Sequence, residues 1–144
     1  MEYVQYGDSF VIRFEEDEVF PDRLLDFLAA KSIAGATFTG IGAVKRARIA
    51  YFNVESREYE PLDLDEQLEV LALVGNVSIH NDQPLVHAHI TLGRRDGTAL
   101  GGHLQQGVIR PTLEVSLRVC PEPLQRVTDP KFGLPALHLT SRFP

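Results

Sequence analysis

The chain carries a single cysteine, Cys120, so it can form no internal disulfide. That usage points to a reducing cytoplasm rather than an oxidising compartment. No apolar run approaches the ~20 residues that a membrane span needs. The first residues, Met1 to Asp8, have neither the basic start nor the apolar core of a signal peptide. Positive charge is also scarce: 14 Lys and Arg face 20 Asp and Glu, for a net charge of −6 and a pI near 5.3. A generally basic surface is thereby excluded, and any binding to nucleic acid would need a local patch or a separate basic module. Internal repeats, low-complexity tracts and linkers rich in Pro, Gly or Ser are missing too. We therefore expect one domain over residues 1–144, with a core over about 8–120. The tail from 121 to 144 holds five of the nine prolines and reads as mostly irregular.

What is present is an ordinary globular composition, and a chain of 144 residues can bury ~68–70% of its unfolded surface without a disulfide or metal. Ser9 to Phe14 alternates with period two and reads as a strand with Phe10, Ile12 and Phe14 on one face. Glu15 to Glu18 reads as an acidic loop. Pro21 opens a helix that runs to about Lys31, with Leu24, Leu25, Leu28 and Ala29 as its apolar stripe. Strands follow over Ala36–Ile41, Val44–Val54, Tyr59–Leu62, Leu68–Val74, Asn76–His80, Leu85–Leu92, Thr98–Leu104 and Val108–Val119, with breaks at Gly40, Gly42 and Gly75. The expected class is α+β: a mainly antiparallel sheet with one principal helix packed on it.

The chemistry concentrates in one hairpin. In Val86-His87-Ala88-His89-Ile90 the histidines share a face, because side chains alternate along a strand. Arg95-Asp96-Gly97 suits a three-residue loop, a type I turn followed by Gly in the left-handed conformation. That loop pairs Leu92 with Leu100, Ile90 with Gly102 and His89 with His103. The same register gathers Leu100, Leu104, Leu92 and Ala88 on the apolar face, so turn chemistry and patterning agree. Residues directly opposed have Cβ atoms ~4.5–5.5 Å apart. His87, His89 and His103 therefore converge at one corner. Three neutral imidazoles suit a tetrahedral zinc with an open fourth position, although nickel, copper and iron accept imidazole as well. A fourth ligand or a carboxylate behind the histidines must come from elsewhere. Glu69 and Glu114, each a lone acid within a strand, are the candidates; the competing and preferred reading of both is a solvated or sheet-edge acid.

Other residues carry less. His80 reads as a surface position beside a turn, His138 as a structural histidine in an apolar run, and Cys120 as a buried strand-end residue. Gly40-Ile41-Gly42 has no third Gly at the right spacing and no following helix, so it is not a phosphate loop. Lys45, Arg46 and Arg48 split between two faces of a strand.

Several of these segments together resemble the plants-and-prokaryotes conserved (PPC) domain family. They are Gly40-Ile41-Gly42-Ala43-Val44, Ala50-Tyr51-Phe52-Asn53, Leu68 to Ser78, His87-Ala88-His89, Asp96-Gly97, Gly101-Gly102-His103-Leu104 and Thr112-Leu113-Glu114-Val115. The resemblance spans roughly residues 8 to 120. It implies an α+β domain that assembles as a homotrimer, with a metal, zinc first, on His87, His89 and His103. The family is described as DNA-binding, but the plant members grip DNA with an AT-hook. Its Arg-Gly-Arg-Pro core is missing here, and the net charge opposes phosphate. Two functions stay open: a trimeric metal-binding regulatory or DNA-associated module, and a zinc-dependent hydrolase or lyase acting on a small molecule through a histidine-held water, with Glu69 or Glu114 as its base.

Overall fold

In a computed structural model of the chain, which describes residues 1–141, strands β1 (Glu2–Tyr6), β2 (Ser9–Phe14) and β3 (Val19–Phe20) lead into helix α1 (Asp22–Lys31). Strands β4 (Ala36–Asn53), β5 (Glu58–Leu64), β6 (Leu68–His80), β7 (Gln83–Gly93) and β8 (Ala99–Val119) follow, and β9 (Arg126–Thr128) and β10 (Pro135–Leu137) close the chain. All the pairings within the sheets are antiparallel. Eight strands form one sheet, while β9 and β10 form a separate two-stranded ribbon. The large sheet pairs back on itself: β8 joins β4, β4 joins β6, β6 joins β7, and β7 returns to β8. The expected antiparallel sheet with one short helix is therefore the architecture found.

The alternation in β2 does what its pattern implies: Phe10, Ile12 and Phe14 are buried and Val11 and Arg13 face outward. Helix α1 turns Leu24, Phe27 and Leu28 inward; Phe27 takes the place expected for Ala29, which is exposed. The helix ends where Ser32 adopts a left-handed conformation and its N–H and that of Ile33 return to the carbonyls of Ala29 and Leu28. Edge-to-face contacts tie the layers together. Phe14 meets Phe20 at 5.7 Å, Phe20 meets Phe38 at 6.0 Å, and Phe10 meets Phe27 at 5.2 Å between ring centroids.

The strands are longer than their glycines imply. Residues 36–53, 68–80 and 99–119 are each continuous, where breaks were expected. At Gly40 and Gly42 the ladder shifts register instead of ending. A Cβ at Gly42 would stand 2.3 Å from the Thr112 carbonyl oxygen, so the bulge brings two backbones closer than any other residue allows. Gly75 has the same function: a Cβ there would lie 2.4 Å from the Phe38 ring and 2.5 Å from the His87 carbonyl oxygen. Glu15 to Glu18 form a loop as expected, and Val19 and Phe20 then add a short strand that pairs with Val108 and Gly107. Strand β1 is an addition to the expected set.

Candidate functional site: a histidine cluster beside a buried arginine

The hairpin turn forms as its sequence implies. Arg94 N–H bonds to the Thr98 carbonyl at 2.8 Å, Gly97 N–H bonds back to Arg94 at 3.0 Å, and Gly97 takes φ 84°. The resulting register sets His89 opposite His103, Ile90 opposite Gly102 and Leu92 opposite Leu100, as expected. The rings of His87 and His89 lie 5.2 Å apart, those of His87 and His103 5.2 Å, and those of His89 and His103 5.5 Å. One ring nitrogen from each falls within 4.8 Å of the others. Ligands ~2.0–2.1 Å from a zinc stand ~3.4 Å apart in a tetrahedron, so small side-chain rotations close the set. His103 Nδ1 is buried and makes no hydrogen bond with any of the described residues. A lone pair held dry and without a partner suits a cation. Burial and the neighbouring imidazoles push the His103 pKa down to about 4; His87 is lowered too, by burial, Arg126 and His89. Both rings are thus neutral at pH 7, the state that ligation requires.

Three other elements complete the corner. Strand β5 lays the Tyr59 ring on His103, stacked at 4.8 Å, and partial burial raises the Tyr59 pKa. Strand β6 supplies Asn76, opposite His87, and the buried Ser78. Strand β9 supplies Arg126. Its Nε donates to Ser78 Oγ at 2.8 Å, Nη1 to the Pro135 carbonyl at 2.6 Å, and Nη2 to Asn76 Oδ1 at 2.9 Å and His87 Nδ1 at 3.2 Å. A guanidinium only donates, so His87 Nδ1 is the acceptor and the neutral ring carries its proton on Nε2.

Arg126 was missed at the level of sequence. It lies in the proline-bearing tail, 39 positions from His87 and 48 from Ser78, and no local pattern marks it. The structure does not bring Glu69 or Glu114 to the histidines. Both are exposed, and both line a cleft of about 530 Å³ with Ile41, Leu71 and Thr112. His80 is half-buried rather than superficial, with Nδ1 3.2 Å from the Arg126 carbonyl. His138 is exposed instead of structural, and Cys120 is only half-buried.

Two cavities flank the histidines. An open groove of about 680 Å³ reaches His87 and His89 from the outer face of β2, β4 and β8. A smaller cavity of about 270 Å³ lies on the other side, between Tyr59, Leu85, His87, His103, Arg126 and Leu134.

A closed antiparallel sheet with one short helix, bearing a three-histidine corner, defines a distinct class of small β-rich domain. The chain belongs to the Plants and Prokaryotes Conserved (PCC) domain family, whose model matches residues 1–121. Among solved structures it is similar to a candidate DNA-binding protein from Bacteroides thetaiotaomicron, with 29% identity, 95% of this chain and 96% of that one covered, and a TM-score of 0.92. A metal-containing protein from Archaeoglobus fulgidus is 33% identical over 96% of this chain and 97% of its own, at a TM-score of 0.85. A plant- and prokaryote-conserved protein from Pyrococcus horikoshii is 31% identical over 98% and 97%, at 0.87. A curated relative, the bifunctional protein GlmU of a Synechococcus strain, is 32% identical over 108 residues; the match spans 74% of this chain but only 16% of that protein's length.

Proposed function

We propose that this chain is a metal-binding PPC module in which His87, His89 and His103 hold one divalent transition ion, zinc first, with a position left for a water or small ligand. The observation that carries the reading is the convergence of three imidazoles on one point, one of them with a buried Nδ1 that no group among the described residues satisfies. A metal-containing relative of nearly the same length supports it. Bound there, zinc would act as a Lewis acid on whatever occupies the open position.

We assign the module a regulatory role in the cytoplasm as a homotrimer, a single domain over residues 1–144. Val11, Ile41, Leu71 and Val74 support the self-association. They are 46–59% exposed and line one groove of about 440 Å³ across β2, β4 and β6. Apolar groups gathered this way mark an interaction face. No helix among the described residues is long and apolar enough to cross a membrane. Association with DNA, the property in the name of the Bacteroides relative, would run through partners rather than direct grip. Several exposed basic side chains are paired with acids: Arg118 with Asp8, Arg48 with Asp63 and Lys45 with Asp17. The hydrolase or lyase reading needs a proton acceptor beside the ion. No Asp or Glu among the described residues lines either cavity that flanks the histidines.

The test is elemental analysis of untagged protein joined to light scattering. We expect one metal per subunit and three times the subunit mass of 16.1 kDa. Protein that retains no metal and binds none on titration with zinc would overturn the metal assignment, and a concentration-independent monomer would overturn the trimer.

A further inference from the structure

Arg126 is only 8% exposed, yet it forms no ion pair with any Asp or Glu among the described residues. Its four hydrogen bonds go to a hydroxyl, a carbonyl, an amide oxygen and an imidazole nitrogen, all neutral. These satisfy its donors in part but leave its charge uncompensated. Desolvation accordingly lowers the Arg126 pKa, though a guanidinium remains charged. Buried charges are ordinarily paired, because an isolated one loses its hydration without compensation.

The same guanidinium lines the cavity of about 270 Å³, and the other walls are mostly apolar: Leu85, Val86, Leu134 and Pro135, with the Tyr59 ring. Of the five guanidinium N–H hydrogens, one on Nη1 has no acceptor among the described residues. We propose that this cavity is a binding site for a small carboxylate with a short apolar body, its carboxylate paired with Arg126 and its body against Leu85, Val86 and Leu134. The volume of about 270 Å³, just below the ~300 Å³ at which drug-sized ligands begin, admits a small carboxylate. The apolar walls favour such a molecule over inorganic phosphate, which would leave them uncovered.

This site stands without the metal, but the two are adjacent. Ligation through His87 Nδ1 would take away an acceptor of Arg126; ligation through Nε2 would place a proton on Nδ1, facing a donor. Either way ligation would change the contact between His87 and Arg126, so the carboxylate site is tested on metal-free protein.

The experiment uses chelator-treated full-length protein, so that no metal can capture the ligand, with butyrate as probe. Butyramide serves as its uncharged isostere, and inorganic phosphate as an anion without an apolar body. Binding is read by saturation-transfer NMR and by displacement of Tyr59 and Leu134 resonances. We expect butyrate to bind at least about tenfold more tightly than butyramide, the loss expected when a charge-assisted pair is removed. Arg126→Gln should abolish the preference. Should that variant not fold, Leu85→Phe narrows the cavity without replacing Arg126 or any of its four acceptors, and should weaken butyrate by a similar factor. Equal binding of butyrate and butyramide, tighter binding of phosphate, unchanged butyrate binding in Leu85→Phe, or no butyrate binding by folded wild-type protein would each overturn the proposal. None of these outcomes touches the metal assignment, which elemental analysis decides separately.

Discussion

Acidification of the metal-free protein probes the histidine corner directly. In the folded chain His103 has its pKa pushed from the ordinary 6.5 to about 4, and His87 is shifted in the same direction. Between those limits the unfolded chain binds more protons than the folded one, so stability falls as pH falls. The contribution is fully present above about pH 6.5 and is lost as pH approaches 4. A shift of that size corresponds to at most about 3 kcal/mol. The His103 ring is only partly enclosed, and solvent screening brings the expected loss to about 1–2 kcal/mol. Urea unfolding of chelator-treated protein at pH 7, 6, 5 and 4.5, at fixed ionic strength, gives the profile. Carboxylates titrate over part of the same range, so the informative quantity is the difference between wild type and His103→Asn. The variant should lack about 1–2 kcal/mol of the decline from pH 7 to pH 4.5. Parallel profiles for the two proteins, or a wild type more stable at pH 5 than at pH 7, would refute the account of His103 as a buried neutral ring. Added zinc should steepen the wild-type profile, because protons then compete with the ion for the same nitrogens.

Further outcomes follow from other parts of the structure. His103→Ala should lower zinc affinity by more than about 100-fold, since even groups one bond behind a ligand are worth about 10–100-fold; equilibrium dialysis checks it. Gly75→Ala should destabilise the fold by about 1–3 kcal/mol, because the new methyl meets both the buried Phe38 ring and the His87 carbonyl; denaturant midpoints measure this. Val74→Arg, which puts a charge on the exposed apolar groove, should shift the light-scattering mass from trimer toward monomer while leaving circular dichroism unchanged. At physiological salt a gel shift with random duplex DNA should show no tight complex, because a chain at −6 has no broad surface for releasing phosphate counterions.

The hairpin was readable because two independent local signals agree in it. The Arg95-Asp96-Gly97 turn sets the register, and the leucine alternation demands the same one. Strand β2 was readable for a like reason: one face is buried and the other is not. Strand β1 lacks that contrast, since all five of its residues are exposed, and nothing in Glu2 to Tyr6 separates its faces. The glycines misled in one direction. Gly40, Gly42 and Gly75 look like strand ends, but what they satisfy is the close approach of a neighbouring strand, which only the assembled sheet reveals. Glu69 and Glu114 are lone acids within strands, yet the sheet carries them to a cleft that includes none of the histidines. Arg126 illustrates the opposite limit. Its four acceptors are dispersed over Asn76, Ser78, His87 and Pro135, so its role exists only after β9 has folded back.

That return of the tail divides the corner between two parts of the chain. The three histidines lie inside residues 1–121, the span that the family model matches, whereas Arg126 and the cavity residues Leu134 and Pro135 lie beyond it. The matched span thus provides the socket, and the tail provides a fitted cover. Altering the cover would change the charge and depth of the neighbouring cavity while leaving all three imidazoles on their own strands, with only the Arg126 contact to His87 affected. Grafting tails of different sequence onto a shared residue 1–121 frame is accordingly a route to new ligand preferences within one architecture.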